Sequence, residues 1–281
     1  MKDHLLNILS SVIAFYIPFQ IALLTDLDLV RNLVILIFVI QWFSFIPAYI
    51  FQTEKFYDLT GSITYLSTIV YSLYTKDSIN IADYIIATCI IVWAIRLGSF
   101  LFIRIHKSGE DRRFRNIKPN FSRFFMTWTL QGMCVSMCLL CVITALSTGS
   151  GIIMNNIFFI GLIIYLLGFT IEVVADYQKT IFRREIKNKD KFISSGLWAY
   201  SRHPNYLGEI LLWSGIAVMS ISSLVDLQYL TLISPLFVYI LLVYISGIRI
   251  LENQGLKKWG HLQSYTDYIK NTPKLFFKFF N

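Results

Sequence analysis

The nine consecutive residues 201–209 bring together several kinds of polar side chain that can bind a ligand or take part in catalysis. They read Ser-Arg-His-Pro-Asn-Tyr-Leu-Gly-Glu and lead directly into an apolar run that begins at Ile210. A guanidinium, an imidazole, an amide, a phenol and a carboxylate therefore stand at the start of a segment that is otherwise suited to lipid. Because polar groups at that depth are costly, binding or catalysis is the first hypothesis for them.

The proline of this segment predicts where a helix starts. Pro204 suits the first turn of a helix, where its missing N–H costs nothing, and it disfavours helical geometry in the residue before it. We therefore expect a helix to begin at Pro204, with Asn205, Tyr206 and Glu209 in its first two turns. His203 lies just before this helix, where a hydrogen-bonded structural role is the alternative to a functional one.

A second polar group precedes the segment at helical spacing. It comprises Glu172, Asp176, Lys179 and Arg183. Intervals of four, three and four residues put these side chains on one face of a helix. The face is either a ladder of intrahelical ion pairs or, one loop away from residues 201–209, one wall of a polar pocket.

Aromatic and charged residues nearer the end of the chain could complete such a pocket. Trp198, four residues before Arg202, could stack on a planar heterocycle or anchor the chain at the membrane interface. The C-terminal tail adds a third group, comprising Arg249, Glu252, Asn253, Lys257, Lys258, Trp259, Gly260, Tyr265 and Tyr268. The alternative for this group is an amphipathic helix on the membrane surface.

A carboxylate and a phenol also lie close together much earlier in the chain. Glu54 and Tyr57 belong to a polar segment that directly precedes an apolar run. Such a pair could polarise or protonate a carbonyl oxygen, so we predict Glu54 and Tyr57 as catalytic residues. A plain connecting turn is the alternative.

The elements that must position these groups are membrane-spanning helices. Of the 281 residues, 56% are hydrophobic and 15% are charged, whereas soluble domains usually carry about 25% charged residues. Eight apolar runs approach the ~20 residues that cross a hydrocarbon core. The runs are 5–24, 32–51, 59–75, 81–103, 124–146, 152–175, 207–222 and 227–247, of which the third and seventh are short.

These runs predict an all-α fold, because helices satisfy every backbone polar group within lipid. We expect a multi-pass transmembrane bundle of about 7–8 spans. The whole chain, 1–281, is expected to be a single integral membrane domain. Its C-terminal half, 152–281, carries the motifs of the pocket.

Basic residues predict the orientation of the bundle. Residues 104–123 and 179–202 hold seven Lys and Arg each, and 249–281 hold six, whereas 147–151 and 223–226 hold none. With eight spans, the three basic stretches and both termini lie on the cytoplasmic side of a bacterial inner membrane or the endoplasmic reticulum. The pocket therefore faces the cytosol. The net charge of +8 reflects topology and anionic lipid, so we expect no nucleic acid partner.

The cysteines do not indicate a metal site. All four lie within apolar runs, and no histidine or carboxylate joins them at ligand spacing. We interpret Cys89, Cys134, Cys138 and Cys141 as small packing residues and expect no bound metal. No Rossmann or phosphate-loop glycine pattern is present either, so a nucleotide would need another kind of pocket.

Several short motifs together resemble the steroid 5-alpha-reductase-like membrane family, and within it a branch known as a domain of unknown function. The resemblance covers most of the chain. Its motifs are Asp58-Leu59-Thr60-Gly61-Ser62, Arg96-Leu97-Gly98, Asp111-Arg112-Arg113-Phe114, Gly196-Leu197-Trp198, residues 201–209, Ser246-Gly247 and Leu251-Glu252. Steroid 5-alpha-reductases proper carry an adjacent Gln-Glu pair, whereas Thr53 separates Gln52 from Glu54 here.

The resemblance to the related sterol C14-reductases implies an NADPH site. Their motif residues correspond to Lys179, Arg183, Trp198, Arg202, His203, Asn205, Tyr206 and Glu209. Asp176, on the same helix face, and Glu252, in the tail, complete the predicted cofactor-binding set.

The implied activity is that of an oxidoreductase acting on CH–CH bonds. It would use NADPH to reduce an activated C=C bond in a lipid from the bilayer, of the steroid, sterol or polyprenoid enone type. Isoprenylcysteine carboxyl methyltransferases and phospholipid methyltransferases share the string Arg-His-Pro-x-Tyr, so a methyltransferase that uses S-adenosylmethionine is the alternative. Lys179 and Arg183 favour NADPH, because S-adenosylmethionine has no phosphates to neutralise. A lipid-binding scaffold protein is the non-enzymatic alternative.

Overall fold

The fold is all-helical throughout the part of the chain that the structure describes. This computed structural model describes residues 2–278, apart from the side chains at positions 2, 108 and 112. Eleven α-helices occur within these residues, joined by short 3-10 segments and one π-helical segment, and there is no strand among them. The helices are α1 Lys2–Leu24, α2 Asp28–Ile50, α3 Tyr57–Tyr74, α4 Ile81–Ser108, α5 Phe121–Ser147, α6 Asn156–Arg184, α7 Leu197–Tyr200, α8 Pro204–Ser220, α9 Ser234–Ile240, α10 Ile248–Trp259 and α11 Gln263–Asn271.

Seven helical stretches within residues 2–278 are long and apolar enough to cross a membrane. They are Asp3–Leu24, Asp28–Ile50, Ile81–Lys107, Phe121–Ser147, Asn156–Arg184, Pro204–Ser223 and Asp226–Trp259. The all-α prediction and the expected number of spans are thereby confirmed. The third apolar run forms α3, a helix of 18 residues that is not among the seven. The helix predicted to begin at Pro204 does begin there.

The chain divides into two compact units. The first unit comprises Met1–Phe158 and Met219–Ser234, and the second comprises Phe159–Val218 and Pro235–Asn281. In the first unit, α5 packs against α1, α2 and α3. It is buried on every side from Val135 to Leu146, as expected of a helix that is apolar all round. The cysteines Cys138 and Cys141 are buried there as free thiols, consistent with packing.

Contacts at both ends of α3 show how it runs in the first unit. At its start, the Tyr57 hydroxyl donates a hydrogen bond to Thr127 O near the beginning of α5, at 2.9 Å. Beyond its end, Asn80 Nδ2 donates to Ile152 O beyond the end of α5, at 3.1 Å. The chain from Tyr57 to Asn80 therefore runs beside α5 from Thr127 to beyond its C-terminal end.

In the second unit, glycines allow α6 and α8 to pack backbone against backbone. A Cβ atom on Gly208 would lie 2.5 Å from Glu172 N, and one on Gly215 would lie 2.5 Å from Tyr165 N. Gly168 makes the same kind of approach from α6. Small residues allow helices to approach this closely. The pairing is antiparallel, so the C-terminal end of α6 lies beside the N-terminal end of α8.

Candidate cofactor site

A cavity of about 620 Å³ lies within the second unit. It is lined by the C-terminal end of α6, loop residues 188–193, side chains of α10 and α11, and Trp198, Arg202 and His203. We call it the basic cavity. Its volume lies within the ~300–1,000 Å³ that small-molecule and cofactor sites usually have.

The charges around the basic cavity suit an anionic ligand. Six cationic side chains line it, against the two carboxylates of Asp190 and Glu252. The cations are Lys179, Arg183, Lys189, Lys191, Arg202 and Lys258. Because arginine and lysine recognise phosphates through charge-assisted hydrogen bonds, this lining is suited to a phosphorylated ligand.

Lys179 and Trp198 form one wall of the cavity. The Lys179 ammonium lies 4.5 Å from the centroid of the Trp198 ring, which is a cation–π contact. The indole N–H of Trp198 donates to Ala175 O on α6 at 3.1 Å, and only 4% of the residue is exposed. Trp198 therefore ties the short helix α7 to α6 and supports Lys179. Stacking of Trp198 on a cofactor ring stays a prediction.

Glu252, on α10, contacts two basic side chains of the segment 201–209. Its Oε1 lies 2.7 Å from Arg202 Nη1 and 3.5 Å from His203 Nε2. Its Oε2 lies 3.7 Å from Lys274 Nζ. Arg202 Nε is buried and has no hydrogen-bond partner among the described residues, while the residue as a whole lines the cavity.

His203 is held as a neutral imidazole at neutral pH. Burial, the largest influence, lowers the pKa of His203, the hydrogen bond to Glu252 opposes that effect, and the charges of Lys179 and Arg202 lower the pKa further. The net direction is below the usual value. His203 therefore adds hydrogen-bonding capacity to the cavity at neutral pH without adding charge.

The far wall of the cavity is aromatic. Phe192, Trp259, Tyr265 and Tyr268 line it together. Phe192 is at the centre, with its ring centroid 4.9 Å from that of Tyr265, 5.4 Å from that of Tyr268 and 6.0 Å from that of Trp259. We call these four residues the aromatic box. The sequence placed the other three in the tail group, but Phe192 and the loop lysines were missed.

The structure brings six of the ten predicted cofactor-binding residues to the basic cavity. They are Lys179, Arg183, Trp198, Arg202, His203 and Glu252. Asp176, Asn205, Tyr206 and Glu209 are not among the lining residues. Tyr206 stacks on His203, with ring centroids 5.8 Å apart and planes 9° apart, so it supports a lining residue. A direct role for these four residues stays a prediction.

The predicted catalytic residues belong to the first unit, where each has a structural partner. Glu54 is buried, and its carboxylate accepts a hydrogen bond from Asp111 N at 2.9 Å and forms an ion pair with Lys118. Burial raises the pKa of Glu54, but the bonds from Lys118 and Asp111 outweigh that effect and hold it below its usual value. The Tyr57 hydroxyl donates to Thr127 O. Glu54 is thus ionised at neutral pH and poorly suited to donate a proton.

Within the described part of the chain, no cluster of three or more histidine, cysteine, aspartate or glutamate side chains could hold a metal ion.

The fold and the cavity define a multi-pass α-helical protein with helices suited to a membrane and a cation-lined pocket. The sequence profile of the family described as "Protein of unknown function (DUF1295)" matches residues 44–272. The chain belongs to this family. The assignment agrees with the branch expected from the motifs, and its description names no activity.

A part of the chain is also similar to a fungal protein. Over 108 residues it is 29% identical to the "Probable O-methyltransferase ustE" of Ustilaginoidea virens. The matched stretch is 33% of this chain and 38% of that protein, so this chain spans well under half of its relative's length. No solved structure matches the chain.

Proposed function

We propose that this protein is a membrane reductase that uses NADPH to reduce an activated C=C bond in a lipid. The observation that carries the proposal is the excess of cations around the basic cavity, six against two carboxylates. NADPH carries three phosphate groups, whose charge such a lining would offset. S-adenosylmethionine carries no phosphate and has a cationic sulfonium.

The residues of the cavity fit the parts of this cofactor. Lys179 and Arg183, four residues apart near the end of α6, are suited to bind phosphate oxygens. Arg202 lines the same cavity, and His203 adds a neutral hydrogen-bonding group there. When bound, NADPH would supply a hydride to the β-carbon of an enone. The chain would supply the proton for the α-carbon or polarise the carbonyl oxygen.

Glu54 and Tyr57 differ in their ability to supply that proton. Tyr57 keeps its hydroxyl proton, donated to Thr127 O, whereas the Glu54 carboxylate is paired with Lys118. Of the two predicted catalytic residues, Tyr57 is therefore the better proton donor, and Glu54 is better suited to an electrostatic or positioning role.

A methyltransferase that acts on a lipid or an isoprenylcysteine-type substrate is the second candidate. The similarity to a probable O-methyltransferase favours it. The cation-rich lining disfavours it, because a sulfonium would enter a cavity that is already positively charged.

Cofactor binding to the protein purified in detergent separates the two candidates. Thermal stability would be measured with NADPH, NADH and S-adenosylmethionine, each titrated to saturation. A ligand at 100 times its Kd adds about 2.7 kcal/mol to the stability of the folded state. We expect stabilisation by NADPH, less by NADH, and none by S-adenosylmethionine. Stabilisation by S-adenosylmethionine alone would replace the reductase with the methyltransferase.

Arg183→Ala tests whether the cavity is the site. We expect about ten-fold weaker NADPH binding with the fold intact, the order of one lost charge-assisted hydrogen bond. Arg184→Ala is the matched control, because Arg184 is the neighbouring exposed arginine and does not line the cavity. Equal NADPH affinity in the two variants would remove Arg183 from the site.

A further inference from the structure

The aromatic box is the part of the basic cavity that phosphate binding leaves unexplained. Its four rings come from three places in the chain. Phe192 lies in the loop after α6, Trp259 is the last residue of α10, and Tyr265 and Tyr268 lie three apart on α11. The rings come from three separate segments, so the box is formed by tertiary packing at the edge of the cavity and is not one face of a helix.

Local structure fixes the orientation of the box. The indole N–H of Trp259 donates to Asp190 O, and Lys258 Nζ lies 2.7 Å from Asp190 Oδ1. Gly255 leaves room for Tyr265, whose hydroxyl oxygen would lie 2.1 Å from a Cβ atom at that position. The Tyr268 hydroxyl donates to Trp198 O at 2.7 Å. The rings are therefore held in place before any ligand binds.

The box presents aromatic surface to the cavity. Phe192 and Trp259 are only half-buried and both line the cavity, while Tyr265 is buried behind them. Cations border this surface, since Lys258 Nζ lies 5.1 Å from the Trp259 ring centroid and Lys189 and Lys191 line the same cavity. An apolar lipid chain gains nothing from these charges. A planar heterocycle attached to phosphates can use both the rings and the cations.

We infer that the aromatic box binds the purine ring of an adenine nucleotide cofactor, with Trp259 and Phe192 as the stacking residues. The inference rests on the proposed function in taking the basic cavity as a cofactor site. Aromatic side chains stack on any base because every base offers a π face. Gln254, which lies on α10 and lines the cavity, has the amide donor and acceptor that could read the edge of an adenine.

The inference differs from the expectation that Trp198 stacks on the cofactor. Only 4% of Trp198 is exposed, whereas Trp259 and Phe192 are half-buried. The box therefore offers more ring surface to a ligand than Trp198 does.

The test measures the affinity of Trp259→Ala for two halves of the cofactor. The probes are NADPH, 2′-phospho-ADP-ribose, which keeps the adenine, and reduced nicotinamide mononucleotide, which lacks it. Loss of one stacking ring is expected to weaken the two adenine-containing probes about ten-fold or more. Binding of the mononucleotide should not change. Unchanged affinity of Trp259→Ala for 2′-phospho-ADP-ribose would overturn the inference.

Three further variants distinguish ring stacking from two other causes of weaker binding. One cause is loss of the Asp190–Lys258 ion pair, which tethers loop 188–193 to α10, and the other is misfolding. Trp259→Phe keeps a ring but loses the N–H, so it should retain most of the wild-type affinity. Asp190→Asn removes the ion pair with Lys258 and leaves every ring in place. If Asp190→Asn weakens adenine binding as strongly as Trp259→Ala, tethering explains the effect and stacking is wrong. Tyr177→Ala, at an exposed aromatic residue outside the cavity, controls for general loss of an aromatic side chain.

The same variants distinguish failure of the inference from failure of the proposed function. S-adenosylmethionine also contains adenine, so it is titrated in parallel. If wild-type protein binds S-adenosylmethionine but not NADPH, and Trp259→Ala weakens that binding, the reductase is wrong and the purine site stands. If wild-type protein binds NADPH and Trp259→Ala binds it equally well, the purine site is wrong and the reductase stands. Binding of neither cofactor would overturn both.

Discussion

Lys118 and Glu252 show how single residues compensate charge in the two units. Lys118 neutralises the buried carboxylate of Glu54 in the first unit. In the second unit, Glu252 holds Arg202, His203 and Lys274 within 4 Å, and the cations around the basic cavity outnumber the carboxylates by six to two. The first arrangement is a closed pair, whereas the second retains an excess of positive charge. At the residue scale, the second unit is therefore better prepared to bind an anion.

The Glu54–Lys118 pair gives a prediction about stability and catalysis. We expect Glu54→Gln and Lys118→Met each to lower the free energy of unfolding by about 1–3 kcal/mol, because each leaves a partner unsatisfied. The double variant should lose less than the sum of the two single losses, which thermal unfolding in detergent would measure. If Glu54 is also catalytic, turnover per folded molecule falls in Glu54→Gln but persists in Lys118→Met. Equal turnover per folded molecule in the two variants would show that the role of Glu54 is structural only.

The same pair predicts a pH dependence. The folded-state pKa of Glu54 lies below its usual value of 4.5, so the ionised carboxylate stabilises the fold above that pH. This contribution is lost as the pH falls from 4.5 through the folded-state pKa. Glu54→Gln should therefore lose less stability than wild type over that acidic range. Parallel pH curves of the two proteins would contradict the assignment.

Helix α3 illustrates how a polar helix can pass through an apolar bundle. Buried hydroxyl side chains recur on it every four residues, at Thr60, Thr64, Thr68 and Ser72. Each donates to the backbone carbonyl four residues earlier, at 2.7–2.8 Å. These hydroxyl groups are thus hydrogen-bonded within their own segment, and neighbouring helices bury them. Because the segment from Tyr57 to Asn80 runs beside α5 from Thr127 to beyond its end, we expect α3 to cross the membrane together with α5.

The close packing of α6 against α8 brings together segments that line the basic cavity, and it gives a further prediction. We expect Gly208→Ala to destabilise the protein by about 1–3 kcal/mol and to weaken cofactor binding, because its Cβ would meet the backbone of Glu172 at 2.5 Å. Thermal unfolding and cofactor titration in detergent would measure both effects. Gly149→Ala is the control, since nothing lies within 4 Å of a Cβ there. Equal stability of the two variants would show that the helices tolerate wider spacing.

At the scale of the whole molecule, the number of crossings decides the side of each terminus. The three basic stretches are separated by two crossings each, so they share one side whether or not α3 crosses. The N-terminus joins them only if α3 crosses as an eighth span. Eight crossings would give the orientation predicted from the charges, which stays a prediction.

Reporter fusions test this topology. Fusions at the N-terminus, within 104–123 and at the C-terminus should report the cytoplasmic side. Fusions at Gly149 and Val225, in the connections without Lys or Arg, should report the opposite side. Termini on opposite sides would show that α3 does not cross.

Much of the fold and part of the site could be predicted from particular residues. The first seven apolar runs each correspond to one long helix, α1 to α6 and α8, whereas the eighth run is divided into 3-10, α and π segments. Pro204 predicted the start of α8 because it lacks an N–H. Helical spacing correctly grouped Lys179 with Arg183. Phe192 could not be predicted, because a loop phenylalanine carries no periodic signal.

The sequence by itself determined what depends on local chemistry, namely membrane helices, family and the basic residues near 179–202. Only the tertiary structure decided which side chains share a cavity. It brought Glu252 to Arg202 and His203, gathered Phe192 with three rings of the tail, and paired Glu54 with Lys118. The physical reason is that these partners lie between 49 and 76 residues apart. Spacing along one helix orders neighbours a turn or two away, whereas distant segments meet only through packing such as the close α6–α8 contact.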